Sequence, residues 1–435
     1  MKYLKEEDSW LRNGLIRQPI RDQQYRKSIF VVDLPVEDGV LLYNTATGSM
    51  LYFESDLELQ YSKEILISNW FYVPAIDFDE FLWVSFLRDK KRKLASNNPM
   101  KSYLIMTTMD CNARCFYCYE KGRHPISMTA KTANDVSDYI LTNAENKKVK
   151  LSWFGGEPLV NYKVIDLICE GLKRNRFNYV SHMISNGLLF SDDIIAKALN
   201  QWNLRRVQIT IDGTESQYLK IKSFKNGKGD EFQKIMRNIE ALLKNGILVS
   251  IRLNQSLNTT DDLLILVDLI KDKFSFYNNL SVYNRLLFDE EITSEVQLAY
   301  FSLKHKLQQI GLLKPKSIEA IKHSQCMADN DFSLVITPNG NLGKCEHFSE
   351  DHFIGSIYDT RYNQQMITQF KETHEQLSSC NSCALYPSCV RLKMCPSQLN
   401  ICHEFTRADL LDNLHFMMKS YYQKFKENSI TSMLL

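Results

Sequence analysis

Three cysteines on one short segment, Cys111, Cys115 and Cys118, constrain this chain more than any other feature of its sequence. They follow an apolar run at about 103–108 that predicts a strand, so the thiols are expected on the loop where that strand ends. Three thiolates on one loop can bind three irons of a 4Fe–4S cluster and leave the fourth iron without a protein ligand. The spacing therefore predicts a cluster with one iron open to a small molecule.

A Gly-Gly-Glu-Pro segment at residues 155–158 follows the next apolar run, 149–154. Paired glycines at a strand end let a ligand approach the backbone, and a neighbouring carboxylate can pair with an ammonium group. Taken alone, the segment would be interpreted as a strand-ending turn with a solvated glutamate. Its position after a three-cysteine loop favours a ligand site instead.

Together the two motifs resemble the signature of the radical S-adenosylmethionine (SAM) superfamily, which includes an aromatic residue, here Tyr117, just before the third cysteine. The resemblance implies that the open iron chelates SAM and that one electron cleaves it to a 5′-deoxyadenosyl radical. It also implies that the amino group of SAM is bound by Gly155, Gly156 and Glu157.

The last third of the chain holds seven of its eleven cysteines. Their pattern resembles the SPASM extension of radical SAM enzymes, which carries two auxiliary 4Fe–4S clusters, so the resemblance implies three 4Fe–4S clusters in all. The five-residue gap before Cys395 departs from the family's usual three and leaves the loop shape open. By resemblance, the cluster farther from SAM takes Cys380, Cys383, Cys389 and Cys402, and the nearer one takes Cys326, Cys345 and Cys395, with one iron open or bound by a non-cysteine ligand.

Disulfides and zinc are the alternative explanations for these cysteines. The chain has no secretory signal, and thiols in a reducing cytosol stay reduced, so disulfides are not expected. Cys-x2-Cys pairs are good zinc ligands, but zinc needs closed sets of four or eight, and seven cysteines beside a radical SAM core fit iron–sulfur better. Cys169 is left over on an apolar helical stretch and is predicted to be an ordinary buried thiol.

Length and composition indicate a large enzyme. At 435 residues two or three domains are expected, and 44% apolar content is enough to build their cores. No apolar stretch reaches the roughly 18–20 residues of a membrane span. A net charge of +2 with interspersed signs gives no electrostatic footprint for nucleic acid. With the missing signal and oxygen-sensitive clusters, these features predict a cytoplasmic protein that binds neither nucleic acid nor membrane.

The middle of the chain alternates predicted strands and helices, which indicates a parallel sheet. The resemblance implies an α/β fold, a partial (β/α)6 TIM-like barrel over 96–312, with catalytic groups at the C-terminal strand ends. Although Ser-Asn-Gly and Asp-Gly form turns anywhere, the resemblance places SAM contacts at Ser185, Asn186, Asp212 and Arg252. The predicted strands lie at about 103–108, 149–154, 179–184, 206–211, 247–253 and 281–287, and the predicted helices at about 129–145, 161–174, 191–202, 231–245, 260–272 and 293–310.

One segment departs from the family pattern. Many members continue the Asp-Gly segment with an Asp and an Arg that help to hold the nucleoside. Residues 214–222 contain neither residue type here. Lys220 or Lys222 is only a weak candidate to substitute.

Glu346, directly after Cys345, is the candidate catalytic base. In sulfatase-type maturases an Asp follows the matching cysteine and acts as a base, so the resemblance implies this role. The alternative is a surface glutamate beside the positive charge of Lys344.

Residues 1–95 are predicted to form a small domain of three short strands followed by helices at about 57–69 and 78–92. The pattern resembles the leader-peptide recognition element of ribosomal peptide-modifying enzymes, whose sheet edge can accept an extended peptide as an added strand. The alternative is a structural or oligomerisation domain. Residues 313–405 are expected to form the SPASM domain, and 406–435 a C-terminal segment whose helix at 406–425 is core or a docking face.

The resemblance implies an enzyme that installs an oxidative thioether or carbon–carbon crosslink in a ribosomally made precursor peptide. Its partners would be that precursor with its leader, and a small redox protein of flavodoxin or ferredoxin type as electron donor. One alternative is an anaerobic sulfatase-type maturase that forms formylglycine, but those enzymes usually begin close to the cluster motif, whereas about a hundred residues precede it here. The other is a non-enzymatic multi-cluster electron carrier, which would have no need for a SAM site.

Overall fold

The structure is a computed structural model that describes residues 1–5, 11, 23–55, 58–59, 62–97, 99–122, 124–316, 320–347, 350–359, 361–397 and 401–433. By internal contacts the chain divides into two compact units. The first comprises Met1–Asn98, Pro315–Gln325 and Glu372–Leu435, and the second comprises Pro99–Lys314 and Cys326–Lys371. The four segments expected from the sequence, 1–95, 96–312, 313–405 and 406–435, stay a prediction.

The described elements are numbered in chain order. The strands are β1 Lys2–Lys5, β2 Tyr25–Lys27, β3 Val31–Val36, β4 Gly39–Asn44, β5 Met50–Phe53, β6 Tyr72–Pro74, β7 Lys101–Thr108, β8 Lys148–Gly155, β9 Asn178–Ser185, β10 Leu204–Thr210, β11 Leu248–Gln255, β12 Leu280–Leu286, β13 Ser333–Ile336, β14 Asn341–Gly343 and β15 Gly355–Ser356. The helices are α1 Lys63–Ser68, α2 Glu80–Ser96, α3 Ala130–Asn143, α4 Tyr162–Arg174, α5 Asp192–Asn200, α6 Glu215–Lys222, α7 Glu231–Lys244, α8 Thr260–Phe274, α9 Ser294–Gln309, α10 Gln364–Lys371 and α11 Glu404–Met433.

The second unit is built on a nine-stranded sheet in the order β12-β11-β10-β9-β8-β7-β13-β14-β15. Strands β7 to β12 are parallel to their neighbours and follow one another in the chain. This succession confirms the predicted α/β fold with a parallel-sheet core. Because parallel strands all point the same way, the loops after β7 to β11 meet at one edge of the sheet.

Local sequence explains where the helices of this unit begin. Thr129, Ser191 and Thr293 precede α3, α5 and α9, and each side-chain hydroxyl accepts a hydrogen bond from a backbone amide of the first turn. This is the expected use of Ser and Thr at an N-cap, where the first amides of a helix lack partners. Apolar helix faces then pack on the sheet, and Cys169 of α4 is buried as an ordinary thiol, as predicted.

The first unit contains a four-stranded antiparallel sheet in the order β1-β5-β4-β3 and a separate β2-β6 pair. The sequence predicted three of these four strands and missed β1. The sheet packs on α11, whose Leu414, Met417 and Met418 join Tyr43 and Tyr52 in one buried cluster. The apolar face predicted at 406–425 is therefore core. The predicted helix at 57–69 includes residues outside those described.

Of the helices that the structure describes, none is both long and apolar enough to cross a membrane.

Candidate active site

The three motif cysteines lie on the loop after β7, and all three line one cavity of the second unit. The loop begins at Asp110, whose carboxylate accepts a hydrogen bond of 2.8 Å from the Cys111 amide. Burial raises the pKa of Cys111 to about 12, and charge on Glu157, Cys115 and Cys118 adds to this effect. These thiols lie close enough to influence one another, as the ligands of one metal centre would.

Gly155 and Gly156 let the end of β8 pack directly against this loop. Gly155 has a φ of +122°, and a Cβ there would lie 2.0 Å from the Thr108 carbonyl oxygen. A Cβ on Gly156 would lie 2.3 Å from the Asp110 carbonyl oxygen. The close approach allows the Gly156 amide to donate to the Thr108 carbonyl at 3.0 Å. The glycines thus fix the cysteine loop, besides leaving ligand space beside the backbone.

The Glu157 side chain is fully buried and does not line the cavity. Its carboxylate accepts hydrogen bonds from the Ser185 hydroxyl at 2.9 Å, the Asn186 amide at 2.7 Å and the Leu159 amide at 3.1 Å. Burial raises the pKa of Glu157 to about 7, against the opposing effect of these hydrogen bonds. The carboxylate therefore joins the ends of β8 and β9, and its pairing with the SAM ammonium stays a prediction.

The ends of β9 and β11 also reach the cavity. Asn186 donates from its side-chain nitrogen to the Asn112 side-chain oxygen at 2.6 Å, which ties the end of β9 to the cysteine loop. Arg252 donates through Nε to Asn254 Oδ1 at 2.8 Å. Ser185, Asn186, Arg252 and Asn254 all line the cavity, so the structure brings these predicted residues together.

Asp212, after β10, is buried and takes part in an ion pair. Its Oδ2 accepts a hydrogen bond of 2.7 Å from the Tyr117 hydroxyl and lies 2.8 Å from Lys222 Nζ. Lys222 also donates to the Tyr117 oxygen at 3.0 Å. Asp212 does not line the cavity, whereas Tyr117 and Lys222 do. Lys220, the other candidate from the sequence, is exposed.

The cavity has a volume of about 240 Å³ and opens beside the cysteine loop. Its walls come from the cysteine loop, from the ends of β8 to β11 and from the segment after β14. Several of its lining residues were not predicted from the sequence, because neither a motif nor a turn signal marks them. They are Tyr119, Glu120, Gln208, Thr210, Phe288 and His347.

Glu346 lines this cavity, together with its neighbour His347. Glu346 Oε1 lies 4.0 Å from His347 Nε2. The His347 ring packs against Tyr119 and Phe288, at centroid distances of 4.2 and 5.0 Å. The Lys344 ammonium is buried and donates to backbone carbonyls. This does not support the alternative of a surface glutamate beside the charge of Lys344. The candidate base thus lies in the same cavity as the three motif cysteines.

Four of the predicted auxiliary cysteines lie near one another in the first unit. Burial raises the pKa of Cys389, and charge on Cys383, Cys402 and Cys380 raises it further. Cys326 and Cys345 belong to the second unit and Cys395 to the first, so their grouping stays a prediction. No set of three or more His, Cys, Asp or Glu in the described ranges is arranged to hold a metal ion. In a four-iron cluster each cysteine binds a different iron, so its thiols need not converge on one point.

The residues of the cavity fit a 4Fe–4S cluster and SAM on three observations. The three cysteines all line it, as ligands of one cluster require. The paired glycines lack the Cβ atoms that would block the backbone beside it. Asn186, Arg252 and Asn254 line the same cavity and offer polar groups to a ligand there.

Sequence comparison finds that this site is similar to that of a known superfamily. Residues 105–269 match the radical SAM superfamily. An uncharacterised protein of Methanocaldococcus jannaschii is 32% identical over 130 residues, 30% of this chain and 44% of that protein. A probable GTP 3′,8-cyclase of Methanococcus vannielii is 28% identical over 150 residues, 34% of this chain and 47% of that protein. The chain therefore spans a little under half the length of these two relatives. A GTP 3′,8-cyclase of Clostridium perfringens is 26% identical over 268 residues, 56% of this chain and 80% of that protein.

Solved structures share the fold. A structure described as anSMEcpe with bound AdoMet has a TM-score of 0.57 at 17% identity, covering 75% of this chain and 98% of that one. A second, with bound AdoMet and a peptide, has a TM-score of 0.57 at 14% identity, covering 75% and 99%. At these identities the likeness concerns the fold. Together with the match to the radical SAM superfamily over residues 105–269, it shows that this chain is similar to enzymes of that superfamily.

Proposed function

We propose that this protein, a radical SAM enzyme, installs a thioether or carbon–carbon crosslink in a ribosomally made peptide. The observation that carries the proposal is that Glu346 lines the same cavity as Cys111, Cys115 and Cys118. An oxidative crosslink removes two hydrogens from the peptide, and the second must leave as a proton and an electron. A carboxylate beside the site of hydrogen abstraction supplies a base for that proton.

A bound cluster and SAM would supply the radical chemistry, with auxiliary clusters as the electron acceptor, and the chain would position the reactants. Cys111, Cys115 and Cys118 would hold the first cluster, and the backbone at Gly155 and Gly156 would lie beside SAM. Tyr119, Phe288 and His347 form an aromatic wall that a peptide side chain could contact.

Three features support a peptide as the substrate. The first unit has a small antiparallel sheet in which β3 is at the edge, and such an edge can pair with an extended peptide. Its four neighbouring cysteines suit the farther auxiliary cluster of a SPASM domain. A protein of similar fold has been solved with bound AdoMet and a peptide. The electron donor, of flavodoxin or ferredoxin type, belongs to the same proposal.

Nucleotide cyclisation is the second candidate, because several sequence relatives are GTP 3′,8-cyclases. Formylglycine formation is the third, and it requires the same base and the same cavity. Both differ from crosslinking in their products, so a single experiment separates them.

The test uses the full-length protein, reconstituted anaerobically with iron and sulfide and supplied with SAM and a chemical reductant. One sample receives a candidate precursor peptide, chosen from any short open reading frame next to the gene that has recurring Cys or aromatic residues near its C-terminus, and a second receives GTP. Crosslinking predicts 5′-deoxyadenosine and a peptide that has lost two hydrogens and resists fragmentation between the joined residues. A peptide aldehyde would show formylglycine formation instead, and conversion of GTP with an unchanged peptide would show a cyclase. A Cys115→Ala protein is the control and is expected to form neither 5′-deoxyadenosine nor product.

A further inference from the structure

Lys222, the last residue of α6, connects the end of β10 to the cysteine loop. Its side chain is only 4% exposed, and Nζ lies 2.8 Å from Asp212 Oδ2 and 3.0 Å from the Tyr117 oxygen. Tyr117, between the second and third cysteines, donates to the same Asp212 oxygen at 2.7 Å. The three side chains therefore form a closed set of contacts in which Lys222 and Asp212 hold a residue of the cysteine loop.

The backbone after α6 makes a second set of contacts with the loop. The Lys222 carbonyl accepts from the Arg114 amide at 2.8 Å, and the Lys225 amide donates to the Asn112 carbonyl at 2.7 Å. The Lys225 ammonium adds an ion pair of 2.9 Å with Asp110. Ser223 makes this possible, because its left-handed conformation, with φ 44°, ends α6 and turns the chain back towards the loop.

A buried ammonium has to be matched by its surroundings. Burial alone would lower the pKa of Lys222, but the charge of Asp212, with that of Tyr117 and Cys115, outweighs it and the net pKa is raised. Lys222 thus stays charged, and two of the hydrogens on its ammonium are already used inside the protein. Such an arrangement is typical of a group that holds other side chains in place, and less of one reserved for a ligand.

We propose that Lys222 is a positioning residue of the SAM site, which fixes the loop carrying the three cluster cysteines by tying Tyr117 to Asp212. The inference concerns the SAM site and not the substrate, so it holds whether or not the peptide is confirmed. The sequence offered Lys220 and Lys222 only as weak candidates to hold the nucleoside, and burial distinguishes the two, since Lys220 is exposed and Lys222 is not.

The test compares Lys222→Met with Lys222→Arg and with Lys220→Met in the full-length reconstituted protein. Two measurements besides turnover are made: hydrogen–deuterium exchange of residues 110–119, and the change that SAM causes in the electron paramagnetic resonance spectrum of the reduced first cluster. Lys222→Met is expected to speed exchange in 110–119, to reduce the SAM-induced change, and to slow SAM cleavage on the order of a hundredfold, as a misplaced reactive group does. Lys222→Arg keeps the charge and donors and should retain most of each signal.

Lys220→Met is the matched control, because it removes an exposed lysine from the same helix and should change neither signal. Lys222→Met leaves Asp212 charged and unpaired, which can prevent folding. In that case the double variant Lys222→Met/Asp212→Asn, which removes both charges, is tested instead. A folded variant, single or double, with unchanged exchange in 110–119 and an unchanged SAM-induced spectrum would overturn the proposal. Equal losses in Lys220→Met would overturn it as well, since the effect would then not depend on the buried contact.

Discussion

At the scale of single residues, Gly156 is a position with no room for a side chain. A Cβ there would lie 2.3 Å from the Asp110 carbonyl oxygen, which is backbone and cannot move without displacing the cysteine loop. We therefore expect Gly156→Ala to lower uncoupled SAM cleavage on the order of a hundredfold, because small displacements of reacting groups cost about that much. The measurement is the rate of 5′-deoxyadenosine formation without peptide.

Gly343 provides the control for that change. A Cβ there would meet its nearest neighbour at 3.7 Å, an ordinary contact, so Gly343→Ala should leave uncoupled cleavage almost unchanged. Wild-type rates in Gly156→Ala would show that the loop adapts and that the glycine is not needed for its position.

Glu346 leads to a prediction that separates SAM cleavage from formation of the modified peptide. If Glu346 is the base, Glu346→Gln should still form 5′-deoxyadenosine but should lose modified peptide on the order of a hundredfold, which is typical when a general base is removed. Both products are quantified in the same reaction by mass spectrometry. His347→Gln serves as a comparison, since His347 is the neighbour of Glu346 in the cavity. Undiminished product from Glu346→Gln would end the assignment.

Glu157 should make stability depend on pH. Its pKa is raised from 4.5 to about 7, so the folded state binds a proton that the unfolded state has already released between these values. The stabilisation from this group is complete below pH 4.5 and is lost as pH rises towards 7, by on the order of 3 kcal/mol. We expect the thermal midpoint to fall over this range in the wild type, and to fall less in Glu157→Gln. Parallel curves would contradict the burial of a titrating carboxylate.

Residue roles could be predicted from the sequence only for residues that belong to a motif of defined spacing. The three cysteines and the glycine pair form a local pattern, and they line the cavity as expected. The contacts that Glu157 and Lys222 make inside the protein could not be predicted, because they depend on burial and on partners distant in sequence. Glu157 contacts the end of β9, and Lys222 contacts a tyrosine 105 residues earlier.

At the scale of elements, the alternation of apolar strands and amphipathic helices predicted β7 to β12 within about three residues at each end. The pattern missed α6, whose eight residues have little amphipathic character, and it missed β13 to β15, which are only two to four residues long. β13 nevertheless extends the parallel sheet beside β7. Short elements of this kind depend on pairing with neighbours, which composition does not reveal.

The edge strand β3 carries the prediction for peptide binding. Pro35 has no amide hydrogen, and the Val31 amide is already bonded to the Ser28 carbonyl, so residues 31, 33 and 35 are expected to direct their backbone groups away from β4. Within the described residues no strand pairs with this edge of β3. Of residues 31, 33 and 35, only Asp33 therefore has a backbone amide that can donate to an added peptide strand. Asp33→Pro should weaken precursor binding roughly three- to tenfold, the equivalent of one net hydrogen bond.

The matched variant is Asp33→Ala, which removes the same side chain but keeps the amide. Precursor affinity is measured by titration of a fluorescent leader peptide, and uncoupled SAM cleavage is followed in parallel. Only Asp33→Pro should lose affinity beyond the alanine variant, and neither should change cleavage. Equal affinities for the two variants would show that the leader does not pair with this edge.

At the scale of the whole molecule, the first unit is assembled from distant parts of the chain. Residues of β3 to β5 share one buried cluster with Leu385 and with α11. Removing residues 1–95 would therefore expose the core that these segments share, and a loss of activity could not be attributed to peptide binding. The four segments expected from the sequence stay a prediction, and core contacts between distant segments leave no local pattern from which this shared cluster could have been predicted. Substitutions at the edge of the sheet test the same idea without removing its core.

The cluster content of the complete protein gives the last prediction. Three 4Fe–4S clusters require about twelve irons per chain, and Cys111, Cys115 and Cys118 are expected to hold one of them. Replacing these three by Ala should remove about four irons and abolish 5′-deoxyadenosine formation, because the auxiliary clusters depend on other cysteines. Replacing Cys380 and Cys383 should instead reduce the iron content while leaving the SAM-induced spectrum of the first cluster intact. Cys169→Ala is the control, since that thiol is buried in a helix and belongs to no predicted cluster. About four irons in the intact protein, or bound zinc in place of the auxiliary iron, would contradict the auxiliary clusters. The cluster at Cys111, Cys115 and Cys118 would then be the one cluster that the prediction retains.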